Sequence, residues 1–173
     1  LLAERGYLRL KTGDLGGAHR DLFEAFESFP QNALFNTYLG AFYLGSKEFA
    51  LALDYLETAN ELDPDLGLPY LIQSQVYATL NLKDAAREFL DLSKEFDLST
   101  SRDYVERGEI FAFLNEYSLA LSDVDKAIKL IPDQASYYNA RAKIHAVTGN
   151  FPSAFADFDT AIRLNPKAGE YLL

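Results

Sequence analysis

Residues 33–66 read ALFNTYLGAFYLGSKEFALALDYLETANELDPDL. Within this stretch Tyr43, Leu51, Ala52, Tyr55, Leu56, Ala59 and Leu62 recur at helical spacing, which gathers apolar side chains onto one face of a helix. Gly45-Ser46 interrupts the pattern midway, and Asp63-Pro64 closes it. Proline has no N–H for the helical ladder and restricts the residue before it, so it ends a helix. The stretch therefore reads as two helices of about 12–14 residues joined by a tight turn. Asp63 and Asp65 flank Pro64, but the other ligands of a calcium loop are missing, so they read as the stop of one helix and the cap of the next.

The unit recurs. Shifted by 34 residues, the chain aligns with itself four times without a gap. One column reads Gly6, Gly40, Ser74, Gly108, Ala142, and a second Ala18, Ala52, Ala86, Ala120, Ala154. A third reads Ala25, Ala59, Ser93, Ala127, Ala161, and a fourth Pro30, Pro64, Leu98, Pro132, Pro166. Large residues fill another, with Leu22, Leu56, Leu90, Val124 and Phe158. Small residues at fixed places let two helices approach where a longer side chain would clash, and the large ones fill the remaining volume. Turns are expected at Gly13-Asp14, Gly45-Ser46, Asn81, Asn115 and Gly149-Asn150. Pro152 falls in the first turn of a helix, where a missing N–H is tolerated.

These columns resemble the tetratricopeptide repeat, with its small–large–small spacing and a Pro closing each 34-residue unit. The resemblance covers essentially the whole chain. It implies an all-α, right-handed superhelical solenoid of five helix–turn–helix repeats, about 1–32, 33–66, 67–100, 101–134 and 135–168. Residues 169–173 then start a sixth unit or a capping helix. The third repeat departs most, with Ser74, Ser93, Leu98 and Lys83 in columns that elsewhere hold other residue types. A looser or shifted junction is expected there.

One pair of columns is charged. Arg5, Arg107 and Arg141 share a column in which the second and third repeats carry Leu39 and Gln73. Sixteen residues later stand Asp21, Asp123 and Asp157, where the same two repeats carry Tyr55 and Phe89. Arg and Asp occur together or not at all. A charge in a packing face requires a partner, so Arg5–Asp21, Arg107–Asp123 and Arg141–Asp157 are expected to form ion pairs within their hairpins. Independent solvated charges are the alternative.

Composition narrows the function classes. Lys+Arg number 16 and Asp+Glu 26, a net charge of −10, which disfavours a phosphate backbone and an anionic membrane surface. Without Cys, disulfides, thiolate nucleophiles and Cys-based zinc sites are excluded. No apolar run approaches the roughly 20 residues of a membrane span. The chain lacks Met, so Leu1 is not read as a native start, and a leader could precede it. The compartment stays open between cytoplasm and periplasm. His19 and His145 lie far apart in the repeat order, and His145 shares the column of Tyr43, Tyr77 and Phe111, which reads as packing. No phosphate-cradling Gly loop, HExxH or nucleophile elbow is present. No catalytic residue, cofactor or metal is therefore assigned.

In proteins of this kind the first helix of each repeat lines a concave surface that binds partners. The resemblance implies the same face here: Tyr7 and Lys11; Thr37, Ala41 and Leu44; Leu71, Gln75 and Thr79; Glu109 and Phe113; Asn139 and Lys143. Leu10, Val105 and Val147 accompany them. The surface is expected to be mostly small and neutral, with Lys11 and Lys143 towards its ends. The family's Lys/Asn/Arg clamp for a chaperone's C-terminal carboxylate is absent, since Ala3, Tyr7, Tyr38, Leu68 and Ile72 hold those places. The expected function is a scaffold or adaptor holding a peptide or helix of another protein, with no nucleic acid and no membrane bound by this segment. The alternatives are a substrate-recruiting arm of a larger enzyme, or a module that self-assembles into homo-oligomers through its terminal repeats.

Overall fold

The computed structural model describes residues 1–93 and 100–166. These hold ten α-helices and no strand. The chain divides into two compact units, Leu1–Asp97 and Leu98–Leu173. The first contains three helical hairpins: α1 (Leu2–Thr12) with α2 (Leu15–Ser28), α3 (Ala33–Gly45) with α4 (Phe49–Leu62), and α5 (Gly67–Thr79) with α6 (Lys83–Ser93). The second contains two: α7 (Ser101–Phe113) with α8 (Tyr117–Leu130), and α9 (Ala135–Val147) with α10 (Phe151–Leu164). Leu98 and the expected irregular junction after the third repeat lie outside the described residues, as does the proposed sixth unit at 169–173.

Each hairpin turns at the same register. Gly13, Lys47, Asn81, Asn115 and Gly149 all have positive φ, from 59° to 87°. The left-handed residue lets the chain fold back onto the last carbonyls of the first helix; in the second hairpin the N–H groups of Lys47 and Glu48 donate to Leu44 O and Tyr43 O. The turn there lies later than Gly45-Ser46 suggests, because Gly45 is still helical and Lys47 takes the left-handed position. Asp63 ends α4 and its carboxylate accepts from the N–H of Asp65. Neither caps α5, whose N-cap is Leu66 with no side-chain bond. Side-chain caps do start α2, α3 and α10, from Asp14, Asn32 and Asn150, and a Thr100–Asp103 capping box starts α7.

The small columns set how closely the two helices of a hairpin approach. A Cβ added to Gly40 would lie 2.5 Å from Leu56 Cγ and 3.2 Å from the Ala52 carbonyl oxygen. Where the column holds Ser74, its buried hydroxyl donates to the Ala86 carbonyl at 2.7 Å, so the extra atom is accommodated by a hydrogen bond. Ala18, Ala52, Ala86 and Ala120 are fully buried beneath the facing helix, beside Leu22, Leu56, Leu90 and Val124.

The charged columns meet inside the hairpins. Arg5 Nε and Nη2 donate to Asp21 at 2.7 and 2.8 Å. Arg107 makes the same fork to Asp123 at 2.6 and 2.9 Å, and Arg141 to Asp157 at 2.8 and 2.7 Å. Such two-point guanidinium–carboxylate contacts are strong and fix orientation. The two repeats without this pair fill the place differently. Tyr43 stacks on Tyr55 with centroids 5.3 Å apart, and Tyr77 on Phe89 at 5.2 Å. One position thus has two solutions, an ion pair or an aromatic stack.

Candidate partner-binding faces

In the first unit α3 touches both α1 and α5, so neighbouring first helices cover much of one another. Thr37 and Leu71 are fully buried, and Ala41 nearly so. Thr37 turns its hydroxyl back onto the Ala33 carbonyl at 2.8 Å. These three residues belong to packing between hairpins and do not offer themselves to a partner. Helical spacing alone does not show how close the neighbouring hairpin comes.

The other residues of that face remain at least partly accessible. Tyr7 is half-buried and stacks on Tyr38 with centroids 4.3 Å apart, and the Lys11 ammonium lies 5.1 Å from the Tyr7 ring centroid, within cation–π range. Leu10, Leu44 and Gln75 are half-buried and Thr79 is exposed.

In the second unit Glu109 and Lys143 are exposed, Phe113 and Asn139 half-buried, and Val105 buried. Two cavities share Glu109. One, of ≈ 200 Å³, is lined by Glu109, Ala112, Tyr117, Ala140, Lys143, Ile144 and Val147. The other, of ≈ 350 Å³, is lined by Arg102, Val105, Glu106, Glu109, Gln134, Ser136 and Tyr137. The face here is charged, contrary to the small and neutral surface expected. Arg102 pairs with Glu106 at 3.1 Å, whereas Glu109 and Lys143 form no ion pair among the described residues. Although the residue as a whole stays exposed, desolvation of its carboxyl pushes Glu109 up, the Glu106 carboxylate adds to this, and Lys143 and Arg102 offset part of it. Arg102, Glu106, Ala112 and Tyr117 were absent from the face drawn on sequence. A signal existed: Arg102, Glu106, Glu109 and Phe113 recur at i, i+4, i+7 and i+11, one stripe of a helix.

Each histidine packs against a neighbour. His19 stacks on Phe23 at 4.3 Å, and His145 Nε2 lies 4.0 Å from Asp157. Among the described residues no three His, Cys, Asp or Glu side chains are placed to hold a metal ion. No described helix is long and apolar enough to cross a membrane.

No curated protein sequence matches the chain. Solved structures match its fold. TTC0263, a thermophilic tetratricopeptide repeat protein of Thermus thermophilus, superposes with a TM-score of 0.79 at 20% identity, covering 99% of this chain and 98% of that one. A MamA protein gives 0.63 at 21%, covering 99% and 94%. YrrB, described as a tetratricopeptide repeat protein with an unusual peptide-binding site, gives 0.64 at 19%, covering 95% and 85%. The family model for the tetratricopeptide repeat matches residues 4–66 and 105–169, most of the chain. The chain belongs to the tetratricopeptide repeat family.

Proposed function

We propose that this protein holds a helix or extended segment of a partner protein against the first helices of its hairpins. As a tetratricopeptide repeat protein it is a protein–protein interaction module; the residues that make the contact are the finer part of the reading. In the second unit the segment lies along α7 and α9. An apolar side chain enters the cavity walled by Ala112, Ala140, Ile144 and Val147, and Glu109 and Lys143 set its register through polar contacts. In the first unit Tyr7, Lys11, Leu44, Gln75 and Thr79 are the contact residues, without Thr37, Ala41 and Leu71.

The observation that carries the proposal is the pair of cavities meeting at Glu109, with Val147 left 68% exposed at one rim. The cavity bounded by Ala112, Ala140, Ile144 and Val147 has an apolar wall with few polar groups, the usual character of a binding site. YrrB, which shares the fold, has a peptide-binding site by its description. The test is affinity capture with the intact protein, compared with Val147→Arg, Phe113→Asp and Thr79→Arg. All three positions are exposed or half-buried, so the fold should tolerate them, as circular dichroism would verify. Loss of the same partner from Val147→Arg and Phe113→Asp supports the second-unit site. Retention of every partner by all three variants refutes the reading.

A further inference from the structure

A cavity of ≈ 320 Å³ lies in the first unit among residues of the second helices α2 and α4, and none of Tyr7, Lys11, Leu44, Gln75 and Thr79 lines it. Its lining is Phe26, Pro30, Asn36, Leu51, Asp54, Tyr55 and Thr58. The repeat register explains why it is there. Asn36, Tyr70 and Tyr138 share a column, and each donates to the carbonyl of the Pro six residues earlier: Asn36 Nδ2 to Pro30 O at 2.8 Å, Tyr70 to Pro64 O at 3.4 Å, Tyr138 to Pro132 O at 2.9 Å. Asn36 makes the shared bond with a much shorter side chain. The volume that a phenol ring takes up at 70 and 138 is left open beside it.

The chemistry of the lining is specific. Asn36 is only 1% exposed, and its Nδ2 is fully used by Pro30 O and Asn32 O. Its Oδ1 accepts no hydrogen bond among the described residues, and the residue lines the cavity. Phe26 and Tyr55 meet edge-to-face at 5.6 Å and give two aromatic walls. Asp54 supplies a carboxylate, and Glu57 and Glu61 follow it on α4 at i+3 and i+7. All three are exposed, and none forms an ion pair among the described residues. Residues 33–66 carry six acidic groups and one Lys. Exposed Leu51 completes one edge.

We propose that this cavity is a second docking site, taking an arginine side chain from a segment of a partner protein. Guanidinium matches each element of the lining. Its flat face stacks on Tyr55 or Phe26, and its several in-plane donors reach both the Asn36 oxygen and the Asp54 carboxylate. An aliphatic neighbour in the segment rests on Leu51. The three carboxylates along α4 draw a basic segment to this side. The site is independent of the α7–α9 face, so either can exist without the other.

The test is an NMR titration of the intact protein with two peptides, Ac-Ser-Leu-Ala-Arg-Ala-Leu-Ser-NH2 and its counterpart with citrulline in place of arginine. Citrulline keeps the shape and loses the charge. The Asn36 side-chain amide and Thr58 backbone amide should shift saturably with the arginine peptide, and the citrulline peptide should bind about tenfold more weakly, the scale of one charged hydrogen bond. Asp54→Asn should weaken the arginine peptide about tenfold and leave the citrulline peptide unchanged. Asn36→Tyr restores the residue its sister repeats carry, so it should fold and abolish binding. The proposal is overturned if the two peptides bind alike, or if shifts grow without saturation and ignore Asp54→Asn. It is also overturned if spermidine saturates the same resonances more tightly than the peptide, or if the largest shifts fall on Glu109 and Lys143.

Discussion

Removing Asp123 should destabilise the second unit more than any other single truncation of a charged group there. Its carboxylate is 4% exposed and the Arg107 guanidinium 9%, with two hydrogen bonds of 2.6 and 2.9 Å between them. Asp123→Ala leaves that guanidinium desolvated, with the Tyr104 ring, 5.5 Å from its carbon, as its remaining counterpart among the described residues; the Lys126 contact at 3.4 Å is lost as well. Breaking a buried pair from one side costs about 3–5 kcal/mol, whereas replacing both partners with packed apolar groups is often neutral. The protein contains the template for the second case. The second repeat carries Leu39 in the Arg column and Tyr55 in the Asp column, with Tyr55 stacked on Tyr43, and Phe111 already stands in the Tyr43 column. The double variant Arg107→Leu with Asp123→Tyr should therefore lie within about 1 kcal/mol of the parent. The single variants Arg107→Leu and Asp123→Tyr close the cycle: each breaks the pair from one side at about 3 kcal/mol or more, so their sum exceeds the double variant by about 5 kcal/mol or more. Urea unfolding, with amide exchange on α7 and α8 to localise the effect, measures it, because a chain of two units need not unfold in one step. If the double variant is as unstable as the sum of the single ones, the two-solution reading of this column is wrong.

Three further outcomes follow from the same geometry. Gly40→Ala forces a Cβ against Leu56 and the Ala52 carbonyl and should cost about 1–3 kcal/mol in urea unfolding; an effect below about 0.5 kcal/mol would mean that the helices separate freely. Lys47→Gly relieves a left-handed lysine at φ 62° and should raise stability by about 1 kcal/mol, read as a higher urea midpoint with an unchanged slope. The Asp21 carboxyl is held below its ordinary value by the Arg5 hydrogen bond, against the opposing effect of desolvation. A depressed acid contributes stability above its unfolded pKa of about 3.9 and loses it as pH falls towards its folded value. Asp21→Asn should flatten the stability–pH curve below about pH 4, and a curve identical to the parent's would exclude this pair from acid unfolding.

The fold was legible because a 34-residue period repeats the same constraint five times. Gly40 against Leu56 and Ala52 is one instance of a contact that the columns state in residue types alone. The Arg–Asp columns were legible for another reason: their joint presence and absence pointed to contact, and the aromatic residues at 55 and 89 showed what replaced them. What a single chain of columns hides is the distance to the neighbouring hairpin. Thr37 and Leu71 look like exposed helix positions until α1, α3 and α5 are seen side by side. Lys47 was missed because glycine at 45 drew the turn towards itself, although Gly13, Asn81, Asn115 and Gly149 already marked the register. Asn36 carried no signal by type; its effect comes from being small where Tyr70 and Tyr138 are large.

The Arg column also reaches beyond its own hairpin, which the pairing of columns does not reveal. Arg141 Nη1 donates to Asp125 of the preceding second helix at 2.6 Å while its other nitrogens hold Asp157. In the third repeat Gln73 stands in the same column, and its oxygen accepts from Asn60 of the preceding second helix at 2.8 Å. Both residues tie a first helix backwards to the hairpin before it, using partners that lie in different columns. The position is thus a joint between repeats as well as within one. Asp125 and Asp159 are equivalent by register, yet Asp159 is exposed and forms no ion pair among the described residues. Asp125→Ala should therefore cost about 1 kcal/mol, since its side chain is 47% exposed and water screens the contact. Asp159→Ala should stay within about 0.5 kcal/mol of the parent. Equal effects from the two would mean that the backward contact of Arg141 contributes nothing and that the column acts inside its hairpin alone.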